Sequence, residues 1–170
     1  DITERKRAEK EIKELNEYLE KRVKNRTKEL QEMNEALHES EEKYRTLFES
    51  NSDAVMLIDN LRIVDCNPAA LEVFGCENKE GFIGKTILDF SPEEQPNGLN
   101  SEEEIIKHLD FTYLNNNDKY EWLHLHKNKT PFNAEVWLTQ MDLVGENIIQ
   151  AVVRDITEKK RAEKELKLAQ

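Results

Sequence analysis

Glycine and proline are scarce in this chain of 170 residues, five and four respectively, and all of them fall between Pro68 and Gly145. Neither occurs in the first fifty residues, so nothing there obliges the backbone to turn. Cysteine is scarcer still. Cys66 and Cys76 stand ten residues apart with no Cys or His partner at metal-ligand spacing, and they read as free thiols of a reducing cytoplasm, with no metal site expected. No apolar run approaches the ~20 residues of a membrane span, and the opening DITERKRAEK lacks the apolar core of a signal peptide. The expectation is a cytoplasmic piece with no direct membrane insertion, whose parent chain could be anchored elsewhere. Basic side chains are outnumbered, 25 against 36, for a net charge of −11, of which −10 falls on residues 51–154. A segment so acidic offers no clustered basic face to nucleic acid or anionic lipid.

What is present is unevenly placed. Residues 1–50 carry 26 charged side chains, the same number as the 104 residues that follow. The two ends of the chain repeat one another: DITERKRAEKEIKELN at 1–16 and DITEKKRAEKELKLAQ at 155–170. In each copy Asp precedes Glu by three residues, the spacing of a capping box, which predicts a strand end turning into a helix. After the first copy, Ile12, Leu15, Leu19, Val23, Leu30, Met33 and Leu37 recur at intervals of three and four, with a four-residue stutter near Leu19 and Val23. This narrow stripe predicts a parallel homodimeric coiled coil on a helix of about 70 Å. A single solvated helix ordered by charge pairs is the alternative. Arg22, Arg26 and Ser40 fall at or near the seam and weaken it locally. ERKRAEK followed by leucines suggests a basic zipper, but Glu4, Glu9, Glu11 and Glu14 interrupt the basic run, and no nucleic-acid partner is expected.

The middle of the chain reads differently. Period-two apolar stretches predict strands at Ala54–Asp59, Arg62–Cys66, 120–127, 132–142 and 148–155. Asn67-Pro68 is an N-cap followed by proline at the first helical position, opening a helix that closes at Gly75. Short helices are predicted at 79–82 and Ile87–Phe90 and a longer one at 101–114. Asp59-Asn60-Leu61, Lys127-Asn128-Lys129 and Gly145-Glu146-Asn147 read as hairpin turns, with Asn128 left-handed. This order gives an α+β domain. Both faces of its sheet read as apolar, so one face needs a cover beyond the helices, for which Tyr44, Leu47 and Phe48 or a second subunit are the candidates.

The run Glu42 to Ser50, then Asp53 to Asp59, Ile63 to Asn67 with Pro68-Ala69-Ala70, Tyr120 to His124 with Lys127, and Asp155-Ile156-Thr157 together resemble a PAS sensory domain. Leu19 to Val23 with Arg26-Thr27 and Glu29-Leu30 resembles the helical linkers of multi-PAS sensors of the histidine-kinase type. The resemblance implies a PAS-like five-stranded antiparallel sheet with helices on one face, preceded by a long coiled-coil helix. Its domains would be 1–40, an N-terminal signalling helix; 41–157, the PAS domain; and 158–170, the start of a C-terminal linker helix feeding an output domain in a longer chain.

The resemblance also implies a ligand cavity between sheet and helices. Strand alternation and helical phase line it with Met56, Ile58, Phe74, Ile87, Leu88, Ile106, Leu109, Trp122, His124, Ala134, Val136, Ala151 and Val153. The alternative is that these residues simply fill the core. Any ligand should be small and apolar or aromatic, with His124 as the one polar contact, because no inward Lys or Arg is available to pair with an anion. Asp155, Ile156 and Thr157 form the expected signal output junction. Flavin-binding members carry a reactive Cys in an Asn-Cys-Arg motif, where this chain has Gly84 to Phe90, and a Gln where Val153 stands. His108, on the long helix, reads as a surface residue rather than a haem ligand, so no cofactor is expected. Without a nucleophile–base pair, a phosphoacceptor segment or a phosphate loop, the chain reads as a non-catalytic sensory or relay module. A haem or noncovalent-flavin redox or gas sensor and a ligand-free dimerisation spacer are the alternatives.

Overall fold

The structure is a computed structural model that describes residues 1–170. It divides into two compact units, Asp1–Thr46 and Leu47–Gln170. The first is helical throughout. Helix α1 (Ile2–Glu49) starts where the Asp1 carboxylate accepts from the Thr3 amide at 3.1 Å. With no Gly or Pro to interrupt it, it continues for 48 residues. Ion pairs one turn apart, such as Arg5–Glu9 and Lys43–Glu39, lace its surface. Its apolar stripe is exposed: the seven expected seam residues, Ile12 to Leu37, retain between 43% and 67% of their surface.

The second unit is a five-stranded antiparallel sheet in the order β2-β1-β5-β4-β3, built from β1 (Ala54–Asp59), β2 (Arg62–Cys66), β3 (Asn117–Leu125), β4 (Pro131–Leu143) and β5 (Glu146–Asp155). Strand β1 is almost continuously apolar because it lies inside the sheet, between β2 and β5, and is buried along both faces. Helices α2 (Pro68–Phe74) and α3 (Ser101–Asn115), with two 3-10 turns at Lys79–Gly81 and Ile87–Phe90, supply Phe74, Phe82, Ile87, Phe90, Ile105 and Leu109 to the core. Helix α4 (Thr157–Leu168) follows β5.

Asn67 ties the start of the sheet to the start of the helical layer. Its Oδ1 accepts from the amides of Val55 (2.9 Å) and Ala70 (3.0 Å), while its Nδ2 donates to the carbonyls of Asp53 (2.9 Å) and Asn51 (3.3 Å). At the other edge Gln95 stands in for a missing strand. Its side-chain amide accepts from Leu123 N–H at 2.8 Å and donates to Leu123 C=O at 3.2 Å, on the open side of β3.

Four expectations are corrected. Ile106 does not face inward. The Asn100 N-cap sets the phase of α3 so that Ser101, Ile105, Leu109 and Thr112 point at the sheet, leaving Ile106 42% exposed and Ile105 at 1%. The left-handed residue of the β3–β4 turn is Lys129 (φ 69°) rather than Asn128, whose side chain instead accepts from the Thr130 amide. The last hairpin turns one position earlier than expected, with Val144 (φ 53°) and Gly145 (φ 81°) both left-handed. Leu47 is 74% exposed and covers nothing. On the outer face of the sheet Trp137 carries Lys119 and Arg154 over its ring, at 5.0 and 5.1 Å.

Replacing Asn67 by Ala should leave the Val55 and Ala70 amides without their side-chain acceptor and lower stability by about 3 kcal/mol, since a buried unsatisfied group costs roughly 1–3 kcal/mol. The urea midpoint of unfolding measures the loss; an unchanged midpoint would contradict the role given to this side chain.

Candidate functional site

Twelve of the thirteen residues expected to line a cavity, all but Ile106, sit between the sheet and its helical cover, with Leu88 only half-buried at the rim. They pack on one another. Phe74 is the hub, in contact with Phe82 (ring centroids 5.3 Å), Phe90 (5.4 Å), Phe132 (5.5 Å) and the His124 imidazole (5.1 Å). Trp122, also buried, donates its indole N–H to Ser91 Oγ at 3.0 Å, and that hydroxyl in turn donates to the Ile87 carbonyl.

His124 is the unusual member. Its position opposite Phe132 in the β3–β4 ladder turns it into the core. Burial pushes its pKa down to about 4, only partly opposed by the hydrogen bond to Phe90, so the ring is neutral at physiological pH. Its Nδ1 lies 3.3 Å from the Phe90 carbonyl oxygen. Because a carbonyl can only accept, Nδ1 carries the hydrogen and Nε2 the lone pair. That Nε2 is buried and has no hydrogen-bond partner.

Of the residues expected to form the output junction, Asp155, Ile156 and Thr157, the last two are tied to Asn133 of β4. Asn133 C=O accepts from the Ile156 amide at 2.8 Å, and Asn133 N–H donates to Thr157 Oγ1 at 3.0 Å. Ile156 is buried, and Lys160 pairs with Glu121 of β3. The expected capping box does not form here. Ile156 occupies the N-cap position with no side-chain cap, and Asp155 accepts from the Thr157 amide at 2.8 Å. Asp155 still belongs to the sheet, opposite Ala134, so it lies one residue too early to cap α4. Beside it Arg154 grips Asp53 with two hydrogen bonds, of 3.1 and 2.7 Å, and holds that carboxylate below its ordinary pKa.

Sequence reasoning missed two features. Asn133 acts through its backbone, which no residue pattern reveals. His108 is not a plain surface residue: it stacks on Tyr120 with centroids 3.6 Å apart and meets Asp118 at 2.6 Å. The two thiols are buried and free, with Cys66 pushed up to about 11 by burial and Cys76 raised for the same reason, so neither is a ready nucleophile.

Sheet order, helical cover and exit helix define a PAS fold, and comparison with known proteins agrees. Residues 42–109 match the family model described as a PAS domain. Sporulation kinase A of Bacillus subtilis (strain 168) is 26% identical over 137 residues, which are 75% of this chain and 20% of the kinase. The chain thus spans about a fifth of the length of that relative. The PAS domain of an HTR-like protein from Haloarcula marismortui superposes with a TM-score of 0.63 at 22% identity, covering 74% of this chain and 99% of the other. The PAS domain of a LuxR-family transcriptional regulator from Burkholderia thailandensis, in complex with ethanol, gives a TM-score of 0.53 at 18% identity over 66% of this chain and 96% of its own. Residues 42–109 thus match a PAS domain, and the chain is similar to two sporulation kinases of Bacillus subtilis.

His124 supplies a pH dependence whose sign is fixed. Unfolded, the imidazole takes up a proton near pH 6.5; folded, it resists until about pH 4. Its contribution to stability is therefore complete above pH 6.5 and is lost as pH falls towards 4, on the order of 3 kcal/mol in all. Denaturant unfolding at pH 7 and pH 4.5 should show a smaller acid loss in His124→Phe than in the wild type, and equal losses would contradict a buried neutral histidine.

Proposed function

We propose that this chain is a non-catalytic sensory or relay module of a larger dimeric signalling protein, in which rearrangement of the sheet is passed to α4. The observation that carries the reading is the Asn133 clamp: a single backbone residue of β4 binds both Ile156 and Thr157, so a shift of that strand moves the start of α4. A coupling free energy of 1–3 kcal/mol is typical of allosteric links, and two such hydrogen bonds are of that order. The relationship to sporulation kinase A supports a kinase as the output. The ethanol held by a PAS domain of similar fold supports a small neutral molecule as one form of input. The lack of a reactive cysteine near Gly84 to Phe90 and the engagement of His108 with Asp118 and Tyr120 favour this reading over a haem or flavin sensor.

Thr157→Val removes the acceptor for Asn133 N–H and should speed amide exchange at 157–160 about tenfold, as loss of one buried hydrogen bond would, while the β1–β5 ladder stays protected. Hydrogen exchange followed by mass spectrometry reads both; unaltered exchange at the start of α4 would end the proposal.

Dimerisation through α1 belongs to the same reading. The exposed stripe from Ile12 to Leu37 is as narrow as a two-stranded seam, and a second copy of the helix would cover it. Burying a Leu contributes roughly 1.5–3 kcal/mol, so Leu30→Asn with Leu37→Asn should convert a dimer into a monomer in sedimentation equilibrium. A wild-type chain that is monomeric at high micromolar concentration would refute it.

A further inference from the structure

We propose that the cleft across the edge of β3 binds an amino terminus: a primary ammonium one carbon away from an amide carbonyl, as in the first residue of a peptide or in an amino-acid amide. The site lies outside the core and its chemistry is independent of the sensory reading above; only its effect on α4 rests on that reading.

The cleft, of about 220 Å³, runs from Gln95 and Glu104 past Trp122 to Glu121, Asn133 and Lys160. Three consecutive residues of β3, Glu121 to Leu123, form one wall. Along an antiparallel ladder, opposed residues alternate between bonded and non-bonded pairs. Leu123, opposite Asn133, belongs to a non-bonded pair: Gln95 takes its N–H, while Asn133 turns to Ile156 and Thr157. Glu121, two residues earlier and opposite Glu135, therefore also turns its N–H and C=O to the open edge, where no group of the chain meets them. Gln95 shows what this edge accepts, a carbonyl for the strand's N–H beside an N–H for its C=O. The same pair of bonds is on offer at Glu121, about 7 Å along the strand. It is on offer to one residue only, because Gln95 closes the edge on one side and on the other the Asp118 carboxylate accepts from the Lys119 N–H at 2.8 Å.

Charge selects what fills this gap. Lys107 takes one oxygen of Glu104 and Lys160 one oxygen of Glu121, so each carboxylate keeps an oxygen open. An ammonium has three hydrogens, one for the Glu121 carbonyl and two for the carboxylates, and the carbonyl of the same ligand residue accepts from Glu121 N–H. A free carboxylate in place of that carbonyl would meet the two glutamates with repulsion, and an amide without the ammonium would forgo their attraction. Occupancy would also be felt at the output. Lys160 is the fourth residue of α4 and holds that helix to β3 through Glu121, so an ammonium at the same carboxylate competes with it.

Alaninamide, alanyl-alaninamide, propionamide and alanine test this on the full chain. Titration followed through the backbone amide resonances should show both ammonium amides shifting Glu121 and its neighbours, with saturation at millimolar concentration in keeping with ligands so small. Both should bind about tenfold or more tightly than propionamide or alanine. Tighter binding of the dipeptide amide identifies a peptide terminus as the source of the group, and tighter binding of alaninamide a free amino-acid amide. Glu104→Gln should remove most of the preference for the ammonium, but the wild-type comparison decides the matter even if that variant does not fold. Propionamide or alanine binding as well as alaninamide, saturation by none of the four, or shifts confined to the rings around Phe74 would each overturn the proposal. Hydrogen exchange at 157–160 keeps the two readings apart: alaninamide that binds without speeding it leaves the site in place and removes its link to α4, whereas failure to bind leaves the Thr157→Val test of the relay untouched.

Discussion

Asn67 uses its whole hydrogen-bonding capacity inside the protein, two bonds accepted and two donated, with no surface left to water. Its four partners lie on three stretches of backbone: the segment leaving α1, the first residues of β1, and the first turn of α2. A helix cannot begin without satisfying its leading amides, and an inner strand cannot begin with a bare one. One side chain meets both requirements, and in doing so fixes where the helical layer starts relative to the sheet. Pro68 completes the arrangement by supplying no amide where none could be satisfied. The cage around His124 exists because α2, so anchored, delivers Phe74 over the middle of the sheet.

The opposite face is organised by charge rather than by helices. Asp53, Arg154, Trp137, Lys119 and Glu135 form a continuous series of ion pairs and cation–π contacts from the start of β1 to β3. Exposed pairs contribute little singly, yet here they lie across an aromatic ring and shield the apolar centre of the sheet. The acidic balance of residues 51–154 is thus consistent with cations being held at particular places. The Arg154 guanidinium, near the end of β5, reaches Asp53 in the segment after α1, so both ends of the sheet domain meet at one ion pair.

Much of this was legible in the sequence because it followed short periods. The bounds of β1 and β2, the Asn67–Gly75 helix and the unbroken N-terminal helix all follow from alternation, capping chemistry and the confinement of Gly and Pro. Errors arose where a side chain was placed by phase alone. Ile105 and Ile106 are adjacent and equally apolar, and only the Asn100 cap decides between them. Asp155 and Glu158 have the spacing of a capping box, but ladder pairing with Ala134 keeps Asp155 in the strand. The inward turn of His124 could be read from alternation; the solitude of its Nε2 could not, because it depends on which carbonyl the loop at Phe90 presents. The role of Asn133 lies wholly in the main chain, where residue identity carries no signal.

The plug that Gln95 makes on β3 has a chemical lifetime. A primary amide can hydrolyse slowly to a carboxylate, and at this position the change would leave the Leu123 carbonyl facing an oxygen instead of the N–H it now accepts from. The Leu123 carbonyl would then be bare on the open edge of the sheet, where another extended chain could add to it, although its amide would keep an acceptor. Such ageing would proceed faster when warm, and its first sign would be a gain of one negative charge.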